Sequence, residues 1–105
     1  MKTHKKVYLA HFNYSEGEYI PCEVTGLPAV DVHHLSPRGM GGSNQKDNIE
    51  NLMALTRPIH EFIENNPKWK YYFIAIHYQY LATRQPHLEQ NDQMLKDAIN
   101  KYLGV

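Results

Sequence analysis

Ala29-Val30-Asp31-Val32-His33-His34-Leu35-Ser36-Pro37-Arg38 is the stretch on which the reading of this chain turns. Residues 29–35 are apolar and β-branched enough to form a strand, and Ser36-Pro37 stops it. Arg38 to Asn48 follows as a loop, with Gly39, Gly41 and Gly42 permitting backbone angles that other residues avoid. Ile49 to Leu55 restores apolar residues, too few to fix a second strand. A helix then starts near Thr56, which can act as N-cap, and runs through Glu64 or Asn65. Pro58 falls in its first turn, where proline is tolerated. Two histidines therefore stand at a strand end, with a glycine-rich loop, Asn51 and a helical His60 after them.

These residue types suit hydrolysis of a phosphodiester. The attacking water must lose a proton near neutral pH, and a histidine side chain, with an unperturbed pKa near 6.5, suits that task. Negative charge grows on the phosphoryl oxygens and on the leaving 3′ oxygen, and a divalent cation can stabilise both. Histidines brought together by a strand and a helix can hold such a cation. Spacing alone does not prove the site.

The order Val32-His33-His34-Leu35-Ser36-Pro37-Arg38, then Gly41-Gly42, Asn51-Leu52 and His60, resembles the HNH endonuclease family. The flanking Cys22-Glu23-Val24-Thr25-Gly26 turn extends the match in outline. The resemblance implies an α+β fold: a ββα-metal core over about 19–66, with additional C-terminal helices over about 67–104, in one nuclease domain spanning 1–105. It implies that His34 is the general base, that His33 and His60 hold the metal, and that Asn51 ties the loop so that His34 keeps its orientation. The products would be a 5′-phosphate and a 3′-hydroxyl. The cofactor would be one divalent cation; Mg²⁺ is the natural working ion, and two imidazoles also suit Mn²⁺, Ni²⁺ or Zn²⁺.

Many members of that family carry two Cys-x-x-Cys pairs that hold a structural zinc. Here the matching positions are Cys22, Thr25, Thr56 and Ile59, so no structural zinc is expected. Such a site contributes directly to folding, and the C-terminal helices or a second subunit would have to compensate.

Neighbouring residues have both bland and functional readings. Asp31 shares a strand face with His33 and could orient an imidazole from outside the metal shell. Glu64 shares a helix face with His60 and is either an extra ligand or a solvated charge. Arg38 could grip a phosphate. Lys2, Lys5, Lys6, Lys46, Arg57, Lys68 and Lys70 are candidates for backbone contacts, or a scattered soluble surface. His4, His11, His77 and His87 fit no pattern.

Outward from the motif, Val7 to Phe12 suits either strand or helix. Glu18 to Val24 reads as a short edge strand because of Pro21, and Thr25-Gly26-Leu27-Pro28 as a turn. Asn66 caps a further helix with Pro67 at its first position; Trp69, Tyr72, Phe73, Ile76 and Tyr80 follow at helical spacing, and Gln85-Pro86 ends it. Asn91 caps a last helix with Met94, Leu95, Ala98, Ile99, Tyr102 and Leu103 on its apolar face.

The chain has 105 residues, 11 basic and 11 acidic side chains, and one cysteine, Cys22. That length fits one domain. A zero net charge argues against a simple DNA-coating protein, so a DNA partner would be met by local cations or a metal. A single cysteine excludes an intramolecular disulfide and suits a cytoplasmic, reducing setting, such as the host cytosol for a phage protein. No apolar run reaches the length of about 20 residues that a membrane span needs. Partners beyond DNA would be a second copy or a protein of a phage or mobile element. The competing reading is a catalytically inactive module with the same fold that binds DNA or a protein partner.

Overall fold

Leu52-Met53-Ala54-Leu55 forms strand β2, and all four residues are fully buried. Successive strand side chains point to opposite faces. Leu52 and Ala54 therefore join Tyr8, Phe12 and Tyr80 in one apolar cluster. Met53 and Leu55 join Phe62, Phe73, Leu95 and others in a second, larger one. A strand covered on both faces reads as an unbroken apolar run, which is why the sequence left this element open. The computed structural model describes residues 2–37 and 46–105.

Strand β1, Asp31–His34, pairs antiparallel with β2, matching Asp31 to Leu55, Val32 to Ala54, His33 to Met53 and His34 to Leu52. Helix α2, Arg57–Asn65, follows directly and buries Ile59, Phe62 and Ile63 in the larger cluster. Thr56 occupies its N-cap position, but its side chain makes no capping hydrogen bond. The molecule is thus mixed helix and strand, with a two-stranded antiparallel sheet.

Helix α1, Thr3–Phe12, settles the ambiguous N-terminal segment. Tyr8 and Phe12 lie four residues apart, so a helix puts both on one face against the smaller cluster. Asn13, at φ 60°, closes the helix with its N–H on the Ala10 carbonyl.

The short strand expected over Glu18–Val24 does not form; an isolated bridge joins Pro21 to Pro28 instead. The chain turns back on itself, with Cys22 N–H bonded to Leu27 O (2.7 Å) and Gly26 N–H to Cys22 O (2.9 Å). Gly26 sits at φ 80°, and a Cβ there would come within 3.2 Å of the Pro86 ring. Glycine meets both demands without strain.

Asn66 and Pro67 open a 3-10 turn, Pro67–Trp69, that leads into helix α3, Lys70–Thr83. Helix α3 stops at Arg84, in the left-handed region at φ 58°, ahead of Gln85-Pro86. A second 3-10 turn, His87–Gln90, braces the Cys22–Gly26 turn: His87 N–H bonds Glu23 O and Leu88 N–H bonds Val24 O, each at 2.9 Å. The cap of helix α4, Gln93–Leu103, is Asp92 rather than Asn91; its carboxylate accepts from Leu95 N–H at 3.1 Å. Asn91, at φ 62°, ends the preceding turn instead. Of the expected apolar face, Leu95 and Ile99 are buried, while Met94, Tyr102 and Leu103 are exposed. Among the described residues, no helix is long and apolar enough to cross a membrane.

Candidate metal and catalytic centre

Strand alternation sends the two adjacent histidines to opposite sides of β1. His33, opposite Met53, faces α2, where its ring lies 4.5 Å from that of His60, centroid to centroid. His34, opposite Leu52, faces α1, where its ring lies 4.6 Å from that of His4. Both reach the same cleft of about 390 Å³ at the strand end, with Lys46, His60 and Glu64 also on its wall.

On the α2 side, Asp31 organises the pair. Its Oδ2 accepts from His60 Nδ1 at 3.0 Å, and Arg57 donates to both carboxylate oxygens, at 2.7 and 3.0 Å. Burial works against a charge on Asp31, but the hydrogen bonds from His60 and Arg57 outweigh it and hold the carboxyl below its usual range. With Nδ1–H on Asp31, His60 keeps its lone pair on Nε2, 3.4 Å from Glu64 Oε1. Burial, with help from His60 and His34, pushes the His33 imidazole down to about 4. A neutral imidazole is the form that binds metal. His33, His60 Nε2 and Glu64 are donor types that suit a divalent cation, but among the described residues three such donors come within 4.8 Å of one another only at His4, His34 and Asp47.

On the α1 side, His34 Nε2 lies 2.8 Å from Asp47 Oδ1. A carboxylate there fixes the tautomer with the proton on Nε2, which leaves the basic lone pair on Nδ1. His4, His34 and Asp47 each offer a donor atom, and these atoms all lie within 4.8 Å of one another, so this group could hold a metal ion.

Asn51 is fully buried and fastens both ends of the loop. Its Oδ1 accepts from Ser36 N–H at 2.8 Å; its Nδ2 donates to Ser36 O at 2.8 Å and to Lys46 O at 2.7 Å. Leu35 N–H bonds Asn51 O at 2.9 Å, so the residue after His34 is tied to the same point. Arg38, with Gly39, Gly41 and Gly42, lies outside the described residues.

The basic side chains divide. Lys2 and Lys5 line a neighbouring cleft of about 470 Å³ with Asp31 and His60, and Lys46 lines the first. Arg57 is already engaged by Asp31. Lys68 lies in a separate groove with Trp69 and Tyr102.

Three further groups were invisible to pattern reading. Asp47 falls at the loop end with no motif around it. His4 lies on a helix remote in sequence. The third is a fully buried network: Glu23 accepts from Tyr8 O–H at 2.6 Å, from His77 Nδ1 at 2.6 Å and from Ala54 N–H at 3.2 Å. His77 Nε2 donates to Ile49 O at 2.7 Å. Burial opposes the charge on His77, but the Glu23 carboxylate outweighs it and raises the imidazole pKa. The one sequence signal was a glutamate within an apolar turn. Compared with known proteins, the chain matches no family model, no curated protein and no solved structure.

Proposed function

We propose that this protein is a metal-dependent endonuclease that hydrolyses phosphodiester bonds in DNA, with β1, β2 and α2 as a ββα-metal core. The observation that carries the reading is the pairing of His33 with His60 across β1 and α2, next to a His34 backed by a carboxylate. His33 and His60 would hold the cation, with Glu64 in reach. When bound, a divalent cation, Mg²⁺ in the first instance, supplies charge stabilisation to the phosphoryl group and the leaving oxygen.

The chain's own residues do the rest. Asp47 holds Nε2–H of His34, so Nδ1 takes the proton from the attacking water. The water oxygen bonds to phosphorus as the bond to the 3′ oxygen breaks. A 5′-phosphate and a 3′-hydroxyl result, the latter after protonation by solvent. Asn51 keeps His34 in place by holding Ser36 and Lys46. Lys2, Lys5 and Lys46 border the clefts and can meet neighbouring phosphates, which position DNA without reading its sequence.

A plasmid-nicking assay with Mg²⁺ or Mn²⁺ tests the reading. His34→Ala should lower the rate by about 10²–10⁴, the usual contribution of a general base. An unmutated protein that leaves plasmid, single-stranded and branched DNA intact would sink it in favour of an inactive binding module.

A further inference from the structure

We propose that His4, His34 and Asp47 form a second metal site, selective for borderline-soft ions such as Zn²⁺ over Mg²⁺, and that filling it disables His34 as a base. The binding half stands on geometry alone; the inhibitory half rests on the nuclease reading.

The site is assembled by three separate elements. Helix α1 places His4 one turn before Tyr8, and Tyr8 is locked into the buried Glu23 network. Residues four apart share a helix face, so the anchor that turns Tyr8 inward also turns His4 toward β1. Strand alternation turns His34 to meet it, and their rings lie 4.6 Å apart. Asp47 closes the third side, 2.8 Å from His34 Nε2. Zinc bonds of roughly 2.0–2.2 Å put tetrahedral donors about 3.4 Å apart. The donors here, all within 4.8 Å of one another, need only small side-chain rotations to reach that spacing.

The surroundings decide which cation fits. Lys2 and Lys46 both act electrostatically on His4, and His4 sits in the first turn of α1, whose dipole is positive at that end. A hard ion held mainly by charge is disfavoured there. Two imidazoles and one carboxylate instead suit the borderline-soft ions that bond strongly to nitrogen, zinc among them. Burial, then the neighbouring His34, lowers the His4 pKa, which keeps its lone pair free of a proton. The hydrogen bond from His34 holds the Asp47 carboxyl below its usual range. Three protein ligands leave a fourth position for water.

The inhibitory step follows from proton bookkeeping. A neutral imidazole carries one N–H. If zinc takes the Nε2 lone pair, the proton now on Nε2 must reside on Nδ1, exchanged through solvent. The nitrogen that would accept a proton from water is then itself an N–H. No proton is gained or lost by the ring, but its basic site is gone.

The test uses the full chain freed of metal, with Co²⁺ as a coloured probe and Zn²⁺ as competitor. In the His33→Ala/His60→Ala background the proposed catalytic cation site is absent. That protein should still bind one Co²⁺ with visible d–d absorption, displaced by Zn²⁺ and not by Mg²⁺. Adding His4→Gln should weaken binding by more than about tenfold, the lower cost of losing even an outer partner of a metal ligand. Asp47→Asn, in a loop rather than a helix, should do the same, and far-UV circular dichroism checks that each variant is folded. Equal Co²⁺ affinity with and without His4 overturns the site. In the nicking assay at saturating Mg²⁺, Zn²⁺ should suppress the native protein while leaving His4→Gln at its own zinc-free rate. Zinc bound through His4 without loss of nicking overturns the inhibitory half. If no variant nicks DNA, the nuclease reading fails while the binding measurement still decides the site.

Discussion

With its Nε2 held 2.8 Å from Asp47, His34 is restricted to one tautomer. Removing that restraint while keeping the imidazole separates orientation from basicity. Asp47→Asn should slow single-turnover nicking by about 10–100-fold, the range seen when an outer partner of a functional histidine is lost. The concentration of Mn²⁺ needed for half-maximal rate should not move, because Asp47 bonds His34 while the cation would rest on His33 and His60. An unchanged rate would mean that Asp47 does nothing for His34. At this scale the sequence showed part of the site. His33, His34, Asn51 and His60 stand in a recognisable order, and Asp31 was expected beside an imidazole because it shares a face with His33. The partner it meets is His60. His4 and Asp47 could not be read. Each depends on a distance created by the packing of α1 and by the loop end, and one-dimensional spacing does not carry that.

Helix α4 illustrates how local chemistry decides an element's start. Asn91 and Asp92 are both good caps, but Asn91 adopts a left-handed conformation that ends the preceding 3-10 turn, and the cap passes to Asp92. Asp92 also accepts from Tyr72 O–H and, at 2.6 Å, from His87 Nε2. Burial pushes its carboxyl up, but these three donors outweigh it and leave the folded value below the usual 3.8. Asp92→Ala should cost about 1 kcal/mol, the usual loss of a cap. The charge adds a pH signature. A depressed folded pKa contributes stability above the unfolded value, and that contribution is lost as pH falls through the folded one. Acidification below about pH 3.8 should therefore narrow the gap between the native protein and Asp92→Asn, which keeps a cap but no charge. Urea unfolding at pH 7 and pH 3 measures it; a constant gap would show that the charge is irrelevant. The helices after residue 66 were legible because their apolar residues recur at helical spacing. No strand forms over Glu18–Val24, because the turn chemistry of Gly26 and the prolines at 21 and 28 overrides its short apolar pattern.

Across the whole molecule, the Tyr8–Glu23–His77 network joins α1, the Cys22–Gly26 turn, β2 and α3 at a point no solvent reaches. Removing one member strands the others. His77→Leu should cost about 3–5 kcal/mol, as for a buried charge that loses its partner. Tyr8→Phe should cost about 1.5–3 kcal/mol, the range for a hydrogen bond to a charged group. Because the folded His77 pKa is raised above its unfolded 6.5, the contribution of this imidazole is full below that value and declines as pH rises through the folded one. Denaturant unfolding should therefore show a stability loss from pH 6 toward pH 9 that is absent in a Glu23→Gln/His77→Gln double variant. An identical decline in both would place its origin outside the network.

The antiparallel pairing of His33 with Met53 and His34 with Leu52 has one more consequence. A slip of a single residue would exchange the two imidazoles between faces of the sheet, leaving His34 beside His60 and His33 beside His4. Val32 would leave the smaller apolar cluster, and the chemistry would be wired in reverse. Val30 N–H on Leu55 O at one end and Leu35 N–H on Asn51 O at the other hold the strand against that shift. Loss of the Asn51 side chain, which grips Ser36 from the same end, should appear as a mixture of correctly and incorrectly registered molecules in solution NMR, rather than as unfolding.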